Sequence, residues 1–448
     1  MDHAKNLSRR SFVAKGSAAL AALASIPSFG GAAPSNKALK LAEKYRGELL
    51  TLLQDMIRVK SLSGETAADA QAVVKAYLSA LPYRIEESED RPSRYESHPE
   101  FMPPDPPSDG PFVNVVGWPT KSSGKQFAMF SHIDTHSIDD GWNTEPLEPK
   151  LIGNKLYGLG TSDDKGGVAA MLVAAKALAA SGAALPVVMS LHGKGGGSRG
   201  SLPVFERISK LEHNIGAVLY VHPAETGRGL EDVKNSVQGI VDLQLSVQGW
   251  RGEPMEVGSV DSASWESGGN AVDMCWQIMD HLRATSFRNV KVNVGKMEGG
   301  DRIGSVADSA TCTFRLKFEG AHTWRDLVNA ANSVIKSYLD AVPQSGGNFK
   351  AALKTVGYRT NPGAAGWEAP VSKVLRQSIE DITGKAPNAY PNHYAGDIRY
   401  PIRLLNVPAY GIGSLGGNFY GPNEWVDMDD LVKLVAVCIQ TMSEWQKI

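Results

Sequence analysis

The chain has 448 residues, of which 42% are hydrophobic, so its length exceeds what one hydrophobic core normally serves and favours two domains. Its formal net charge of −2, without long runs of one sign, excludes a basic surface for nucleic acid, and we expect a small-molecule or short-peptide partner. Cys275, Cys312 and Cys438 are odd in number and lack paired short spacing, so the sequence indicates neither a disulfide framework nor a thiolate metal site.

The first 33 residues have the features of an export signal. The run Ser8-Arg9-Arg10-Ser11-Phe12 resembles the twin-arginine motif, and a mild apolar stretch and the small residues at 30–33 follow it. The apolar stretch is shorter than the about 20 residues needed to span a bilayer. We predict a twin-arginine signal peptide over 1–33, a periplasmic mature chain and no membrane contact after cleavage.

The next elements predict a mainly parallel sheet. Helical spacing covers 38–58 and 66–81, and the proline-rich segment 91–111 favours an irregular loop near a site or, equally, a plain linker. Short apolar runs then alternate with helical spacing, namely strands at 127–130, 187–191 and 218–221 and a helix at 168–180. This alternation is typical of an α/β sheet covered by helices.

The pattern changes after residue 235. Residues 241–247 and 312–318 alternate strictly between apolar and polar, which predicts half-exposed antiparallel strands, and helices are expected at 272–282 and 324–339. We predict an inserted α+β domain over 236–358 within a catalytic α/β domain formed by 34–235 and 359–448. The final segment contains a predicted helix at 371–382, a strand at 409–412 and a closing helix from Leu431.

Chemically reactive side chains follow the predicted strands. His132 ends one strand, His192 and Lys194 follow the next, Glu225 follows the third and Tyr420 lies beyond the last. Because ligands bind at the carboxyl ends of strands in open α/β sheets, we expect these residues to converge on one crevice.

Three of the residues near these strand ends suit a metal ion. His132 and Asp134 share a strand face, so the Asp134 carboxylate can orient the His132 imidazole. Asp163 lies in a glycine-flanked turn before a helix, and Glu225 is a third candidate ligand. One histidine and two carboxylates suit zinc, with a fourth position open for water. Singly, each has a plainer interpretation as a bonded strand-end histidine, a helix cap or a surface acid, but their joint placement favours the metal site.

These motifs resemble the zinc metallopeptidase family of aminoacylases, carnosine dipeptidases, glutamate carboxypeptidases and succinyl-diaminopimelate desuccinylase. The matching elements are His132-Ile133-Asp134, Ser162 through Gly166, Pro223-Ala224-Glu225, Gly269-Asn270-Ala271 and Pro422-Asn423-Glu424. The resemblance implies a zinc-exopeptidase-like sheet with an inserted lid or dimerisation domain, and hence a homodimer. It also implies that His132, Asp163 and Glu225 hold one metal ion, with Asp134 supporting His132.

Several positions depart from this family's pattern. Lys194 and Gly195 stand where family members have a Glu-Glu pair, which supplies the general base and a ligand to the second metal ion. Tyr420 stands in place of a histidine ligand. Asp261 stands in place of the lid-domain histidine that polarises the scissile carbonyl. An ammonium group on Lys194 cannot act as a general base unless burial lowers its pKa strongly. These losses predict one zinc ion, or none, rather than a pair.

Other residues offer replacements for the lost groups. His136, His192, His222 and His393 lie close to retained positions, although each also has a plain structural interpretation. Candidate contacts to substrate are Arg399 and Arg302, as anchors for a carboxylate, together with His192 and Asn270.

Three functions remain open. The first is an exported metal-dependent hydrolase of amide or peptide-like C–N bonds, which the retained motifs favour. The second is a non-hydrolytic enzyme, such as a lyase, isomerase or acyl-transfer catalyst, in which Lys194 and Tyr420 perform acid-base chemistry. The third is a catalytically inactive small-molecule binding protein, which the combined losses would also leave. We predict the first.

Overall fold

The structure is a computed structural model that describes residues 36–62, 67–103, 108–122, 124–193, 200–211, 213–252, 267–342, 347–394 and 396–447. The predicted signal peptide and the predicted catalytic residues Lys194 and Asp261 lie outside these residues, as does Gly195. In the part of the chain that is described, no helix combines the length and the apolar character needed to cross a membrane.

The largest sheet is mainly parallel at its centre. Its strands, in spatial order, are β1 (Tyr83–Asp90), β2 (Phe112–Pro119), β6 (Val187–Leu191), β3 (Gln126–His132), β7 (Ile215–Val221), β16 (Ala409–Ile412), β8 (Asp232–Lys234) and β15 (Asn388–Tyr390). The neighbours β6, β3, β7 and β16 run parallel, whereas β1 and β2 form an antiparallel edge. The central strands are almost wholly buried apolar runs, as expected for a sheet covered on both faces.

Helices cover both faces of this sheet. One face carries α1 (Lys37–Lys44), α2 (Arg46–Arg58), α3 (Ala68–Ser79), α4 (Lys165–Ala180), α8 (Pro370–Thr383) and α10 (Met428–Trp445). The other face carries α5 (Ser201–Lys210) and α9 (Arg399–Leu404). Each layer has its own apolar cluster against the strands, so the sheet lies between two hydrophobic cores.

A second sheet is antiparallel. It consists of β11 (Lys291–Gly299), β12 (Ser309–Phe318), β10 (Gly239–Gln248) and β13 (Lys350–Thr360), in that spatial order. The helices α6 (Ala271–Ala284) and α7 (Trp324–Ala341) pack on its apolar face and form a separate core. Burial alternates along β10 and β12, which is the pattern that the sequence predicts for them.

Two small antiparallel sheets complete the described elements. One contains β4 (Lys150–Ile152), β5 (Lys155–Tyr157), β18 (Trp425–Asp427) and β17 (Gly416–Gly417), and the other pairs β9 (Ser236–Val237) with β14 (Gly363–Ala364). The β5–β18 pairing brings the C-terminal region of the chain against the segment that precedes α4.

The predicted fold class is confirmed: a mainly parallel sheet flanked by helices, together with a separate antiparallel sheet carrying its own helices. One element differs from its prediction. The helix predicted over 38–58 is broken at Tyr45, whose φ of −102° and ψ of 4° end α1 before α2 begins. Apolar spacing continues across this break, and spacing alone cannot reveal one non-helical residue.

The proline-rich segment packs against the antiparallel part of the molecule. It contains a short 3₁₀ helix, Pro92–Tyr95, and irregular backbone elsewhere among its described residues. The side chains of Trp324, Arg325 and Arg359 donate hydrogen bonds of 3.0–3.2 Å to the carbonyl oxygens of Pro99, Ser97 and Glu96, respectively. The segment is therefore more than a plain linker.

The close packing of α4 against β7 can be tested at Gly167. A Cβ atom there would lie 2.0 Å from the carbonyl oxygen of Val221 and 2.5 Å from Asp164 Oδ1, so Gly167→Ala should lower the free energy of unfolding by about 1–3 kcal/mol. Gly47 in α2 has no neighbour within 4 Å of its Cβ position, and Gly47→Ala should be neutral or stabilise by up to ~1 kcal/mol. Urea unfolding of both variants measures the difference, and equal midpoints would contradict the packing described.

Candidate metal centre

Three histidines meet at one edge of the large sheet because of strand register. His132 is the last residue of β3 and pairs with Leu191 at the end of β6, so His192 follows directly. The neighbouring strand β7 ends at Val221, and His222 follows it. The carboxyl ends of the three strands therefore bring these residues to one edge of the sheet, where His132 and His222 meet in the crevice that the sequence predicts.

Asp163 completes a group of possible ligand atoms. It lies in the turn before α4, and its Oδ1 is 3.0 Å from His132 Nε2 and 3.2 Å from His222 Nε2. One ligand atom from each of His132, Asp163 and His222 lies within 4.8 Å of the others, and all three residues are buried. Among the described residues, this is the one such group with three or more histidine, cysteine or acidic side chains.

The hydrogen bond of His132 suits metal binding, whereas His222 Nδ1 has two competing partners. His132 Nδ1 lies 3.0 Å from the carbonyl oxygen of Asp134 and His222 Nδ1 lies 2.8 Å from that of Pro223, so with the proton on Nδ1 each ring turns its Nε2 lone pair toward Asp163. An ammonium donor on Lys234, whose Nζ is 2.7 Å from His222 Nδ1, would favour the other tautomer. With the Pro223 bond made, two imidazoles and a carboxylate form a donor set that fits zinc.

The electrostatics of the two histidines differ strongly. Burial lowers the pKa of His132, but the hydrogen bonds and charges of Asp134 and Asp163 outweigh it and raise the pKa to about 10. Burial and the neighbouring Lys234 ammonium instead lower the pKa of His222 to about 3. Without a metal ion, His132 is therefore the protonated member at neutral pH and His222 the neutral one.

Asp134 supports His132 in a different way from the one predicted. The sequence suggests that its carboxylate orients the imidazole, but the near atom is its backbone carbonyl, and the carboxylate Oδ1 is 3.6 Å from His132 Nδ1. That oxygen accepts a 2.8 Å hydrogen bond from the backbone N–H of Gly193. Burial raises the pKa of Asp134, but the nearby His192 and His132 outweigh it and hold the pKa below the usual range.

His192, predicted as a substrate contact, lies beneath the site. Its side chain is fully buried, and its Nδ1 is 3.6 Å from Asp134 Oδ2. Its ring also contacts Phe112, with centroids 5.8 Å apart. The residue therefore packs behind Asp134 and does not line the crevice.

Glu225, the third ligand expected from the sequence, lies beside the group. Its Oε1 is 3.8 Å from His222 Nε2, and its Oε2 is 3.8 Å from His393 Nε2. The third side chain that groups with His132 and Asp163 is that of His222, which the sequence predicts only as a replacement for a lost ligand. The missed signal is strand register, because His222 follows β7 at the level where His132 ends β3.

Tyr420 is bonded to Glu225. Its hydroxyl donates to Glu225 Oε1, and its ring meets the edge of the His136 ring with centroids 4.8 Å apart. The residue is 43% exposed, yet its hydroxyl is enclosed, and this burial together with Asp163 and Glu225 raises the pKa of the phenol well above the ordinary value. Tyr420 is therefore a protonated phenol at the mouth of the site.

The other predicted substrate contacts have different surroundings. Arg399 is fully buried and donates to the Gly396 carbonyl oxygen at 3.1 Å and to the Tyr400 hydroxyl at 2.6 Å, so its guanidinium is held inside the protein. Arg302 is exposed in the connection between β11 and β12. The side-chain oxygen of Asn270 caps α6 through the backbone N–H groups of residues 272 and 273. The structure does not bring these residues into the metal group.

A family model described as Peptidase family M20/M25/M40 matches residues 128–444. The chain belongs to this family. It is therefore a member of a family of metallopeptidase-like hydrolases, and the resemblance inferred from the His132, Asp163 and Glu424 motifs is confirmed.

Known proteins of this family resemble the chain over most of its length. The succinyl-diaminopimelate desuccinylase of Novosphingobium aromaticivorans is 22% identical over 325 residues, covering 72% of this chain and 82% of that protein. Aminopeptidase PepT from Bacillus cereus aligns with a TM-score of 0.65 at 14% identity, over 89% of this chain and 98% of that chain. The YXEP protein of Bacillus subtilis, a dinuclear metal-binding peptidase, aligns with a TM-score of 0.59 at 11% identity, over 90% and 99%. The structural matches show the shared fold.

The raised pKa of His132 predicts that metal binding releases a proton. At pH 7 the ring is protonated in the metal-free protein and must lose its proton to become a ligand, so zinc binding should release about one proton, and apparent affinity should fall about tenfold per unit decrease in pH. Titration calorimetry at pH 7 in two buffers of different ionisation enthalpy measures this number, with zinc–EDTA titrations as the buffer control. A binding heat that does not depend on the buffer would contradict the assignment.

Proposed function

We propose that this protein is an exported hydrolase of amide or peptide-like C–N bonds in a small substrate, with one zinc ion held by His132, Asp163 and His222. The observation that supports this proposal is the buried group of three ligand atoms at the carboxyl edge of an M20-family sheet. The proposal of export to the periplasm is supported by the twin-arginine-like motif at Arg9-Arg10.

We propose a single ion because Tyr420 and Glu225, at positions where the family resemblance implies metal ligands, are bonded to each other. Family resemblance puts a histidine ligand at the position of Tyr420, and the Tyr420 hydroxyl instead donates to the carboxylate of Glu225. A phenol with a raised pKa is a poor metal ligand, and Glu225 is already bonded to it. The pair thus occupies the side of the site where a second ion would need open ligands.

A zinc ion bound here would polarise a substrate carbonyl and lower the pKa of a bound water. The residues of the chain would divide the remaining work. His132, Asp163 and His222 would hold the ion, and the Glu225 carboxylate, 3.8 Å from His222 Nε2, is a proton acceptor beside the group. Tyr420 can donate its phenolic proton at the same side, since its hydroxyl already points to Glu225.

Membership of the family supports the proposed substrate class and assembly state. The names of similar proteins, a desuccinylase and an aminopeptidase, support a small amide or short-peptide substrate. We assign catalysis to 34–235 with 359–448, and we assign the lid or dimerisation role to 236–358, which contains the antiparallel sheet with α6 and α7. A homodimer formed through that part is included in the proposal.

One observation favours a second candidate, a non-hydrolytic enzyme. The Tyr420–Glu225 hydrogen bond joins a phenol and a carboxylate next to the crevice, which is an arrangement that can transfer a proton without a metal ion. In that case Tyr420→Phe would abolish turnover in a metal-free protein, whereas the hydrolase needs zinc for turnover.

Metal content separates His222 from Glu225 as the third ligand. Protein purified with one equivalent of zinc should retain about one ion per chain, His222→Ala should lose it, and Glu225→Ala should keep it, because Glu225 stands beside the group and not in it. Elemental analysis after dialysis measures the ratio. His213→Ala, which removes a histidine stacked on Trp118, is the matched control and should retain zinc.

Activity on a panel of N-acyl amino acids and dipeptides then tests the reaction. Zinc-loaded wild-type protein should hydrolyse at least one member, and His222→Ala should reduce the rate at least a hundredfold. Wild-type protein that holds no zinc would contradict the proposed metal site. Zinc-loaded protein without turnover on the whole panel would contradict amide hydrolysis and leave the non-hydrolytic enzyme and the binding protein as candidates.

A further inference from the structure

We propose that Glu424 is a positioning residue that sets the metal affinity of the site by shaping the turn that carries Asp163, an inference that rests on the proposed metal site. Its Oε1 accepts hydrogen bonds from the backbone N–H groups of Ser162 at 2.7 Å and Asp163 at 2.8 Å, and its Oε2 accepts one from Gly160 at 2.7 Å. One side chain therefore holds the main chain of the ligand residue itself.

Other bonds also hold this turn, such as those from Thr161 to the Gly158 carbonyl oxygen and from the Ser162 hydroxyl to the Trp425 carbonyl oxygen. The backbone N–H groups of Gly160, Ser162 and Asp163, however, have the Glu424 carboxylate as their acceptor. Residues 158–163 contain buried backbone, and an N–H group buried without an acceptor costs about 1–3 kcal/mol. Gly160 has a φ of 80°, and a Cβ atom there would lie 2.4 Å from Thr135 Cγ2, so the turn is both conformationally special and tightly packed. Removing an acceptor oxygen would leave donors unsatisfied in a place with little room for a replacement.

Glu424 is itself held in place by other bonds. Its backbone carbonyl accepts from Gly158 N–H at 3.1 Å, and the following residues pair as β18 with β5. On its other side, the Asn423 side chain bonds Asn143 N–H at 2.7 Å and the Gly141 carbonyl oxygen at 3.1 Å. These bonds fix the segment around Glu424 without involving its carboxylate. We therefore infer that the Glu424 carboxylate sets the backbone position of the Asp163 turn.

The position of this turn determines the distances between the Asp163 carboxylate and the two histidines. Asp163 Oδ1 must stay about 3 Å from two imidazole nitrogens that are fixed by separate strands. A shift of the turn by a fraction of an ångström changes those distances without unfolding the sheet. Partners of this kind typically alter metal affinity by about 10–100-fold when they are removed.

The decisive experiment compares Glu424→Gln with Glu100→Gln. The second variant is a matched control, because Glu100 is also a buried glutamate but bonds Arg403 and Asn361. Zinc dissociation constants would be measured by competition with a chromophoric chelator, and the cobalt-substituted proteins would be compared by visible absorption. Glu424→Gln should bind zinc at least about tenfold more weakly than wild type and shift the cobalt bands, whereas Glu100→Gln should match wild type in both.

Glu424→Asp provides a second variant if the glutamine protein does not fold. Its shorter carboxylate keeps the charge but cannot reach Gly160 and Asp163 together, so an altered cobalt spectrum and weaker zinc binding are again expected. Wild-type zinc affinity and an unchanged cobalt spectrum in a folded Glu424 variant would overturn the proposal, as would an equal loss in Glu100→Gln. If wild type and Glu100→Gln also bind neither zinc nor cobalt, the metal site itself is wrong, and the role of Glu424 is overturned with it.

Discussion

The candidate site depends on one constraint, namely that the Asp163 carboxylate lies between two imidazoles that come from different strands. Strand register places His132 and His222, because β3 and β7 are parallel neighbours that end at the same edge of the sheet. Asp163 instead lies on a turn, whose position the strand register does not set. The Glu424 carboxylate bonds the backbone of Ser162 and Asp163, more than 250 positions away in sequence. The C-terminal segment therefore helps to hold the turn that carries Asp163.

The proposal of a single ion also rests on this C-terminal segment. Tyr420 and Glu424 lie four residues apart, and one bonds Glu225 while the other bonds the turn of Asp163. Where the family resemblance implies a histidine ligand, this chain has the Tyr420 phenol, which donates a hydrogen bond to the Glu225 carboxylate. The result is an M20-family frame with a buried N, N, O donor set on one side and a phenol–carboxylate pair on the other.

Much of the fold could be predicted from the sequence, because periodic burial leaves a direct mark on residue type. The strands at 187–191 and 409–412 coincide with β6 and β16, and the strict alternation at 241–247 and 312–318 lies within antiparallel strands. The site was harder to predict. The prediction of Glu225 as third ligand came from a motif, whereas the geometry selects His222 because of its level on β7. Arg399 looks like an anion anchor in sequence, and only the three-dimensional packing shows it buried against Tyr400.

The central claim is that one ion is held by His132, Asp163 and His222, and anomalous diffraction at the zinc edge tests it most directly. Crystals of the zinc-loaded protein should show a single strong anomalous peak per chain, within about 2.0–2.2 Å of both histidine Nε2 atoms and an oxygen of Asp163. The Glu225 carboxylate should remain bonded to Tyr420. A second peak beside Tyr420, or a peak coordinated by Glu225 in place of His222, would contradict the account.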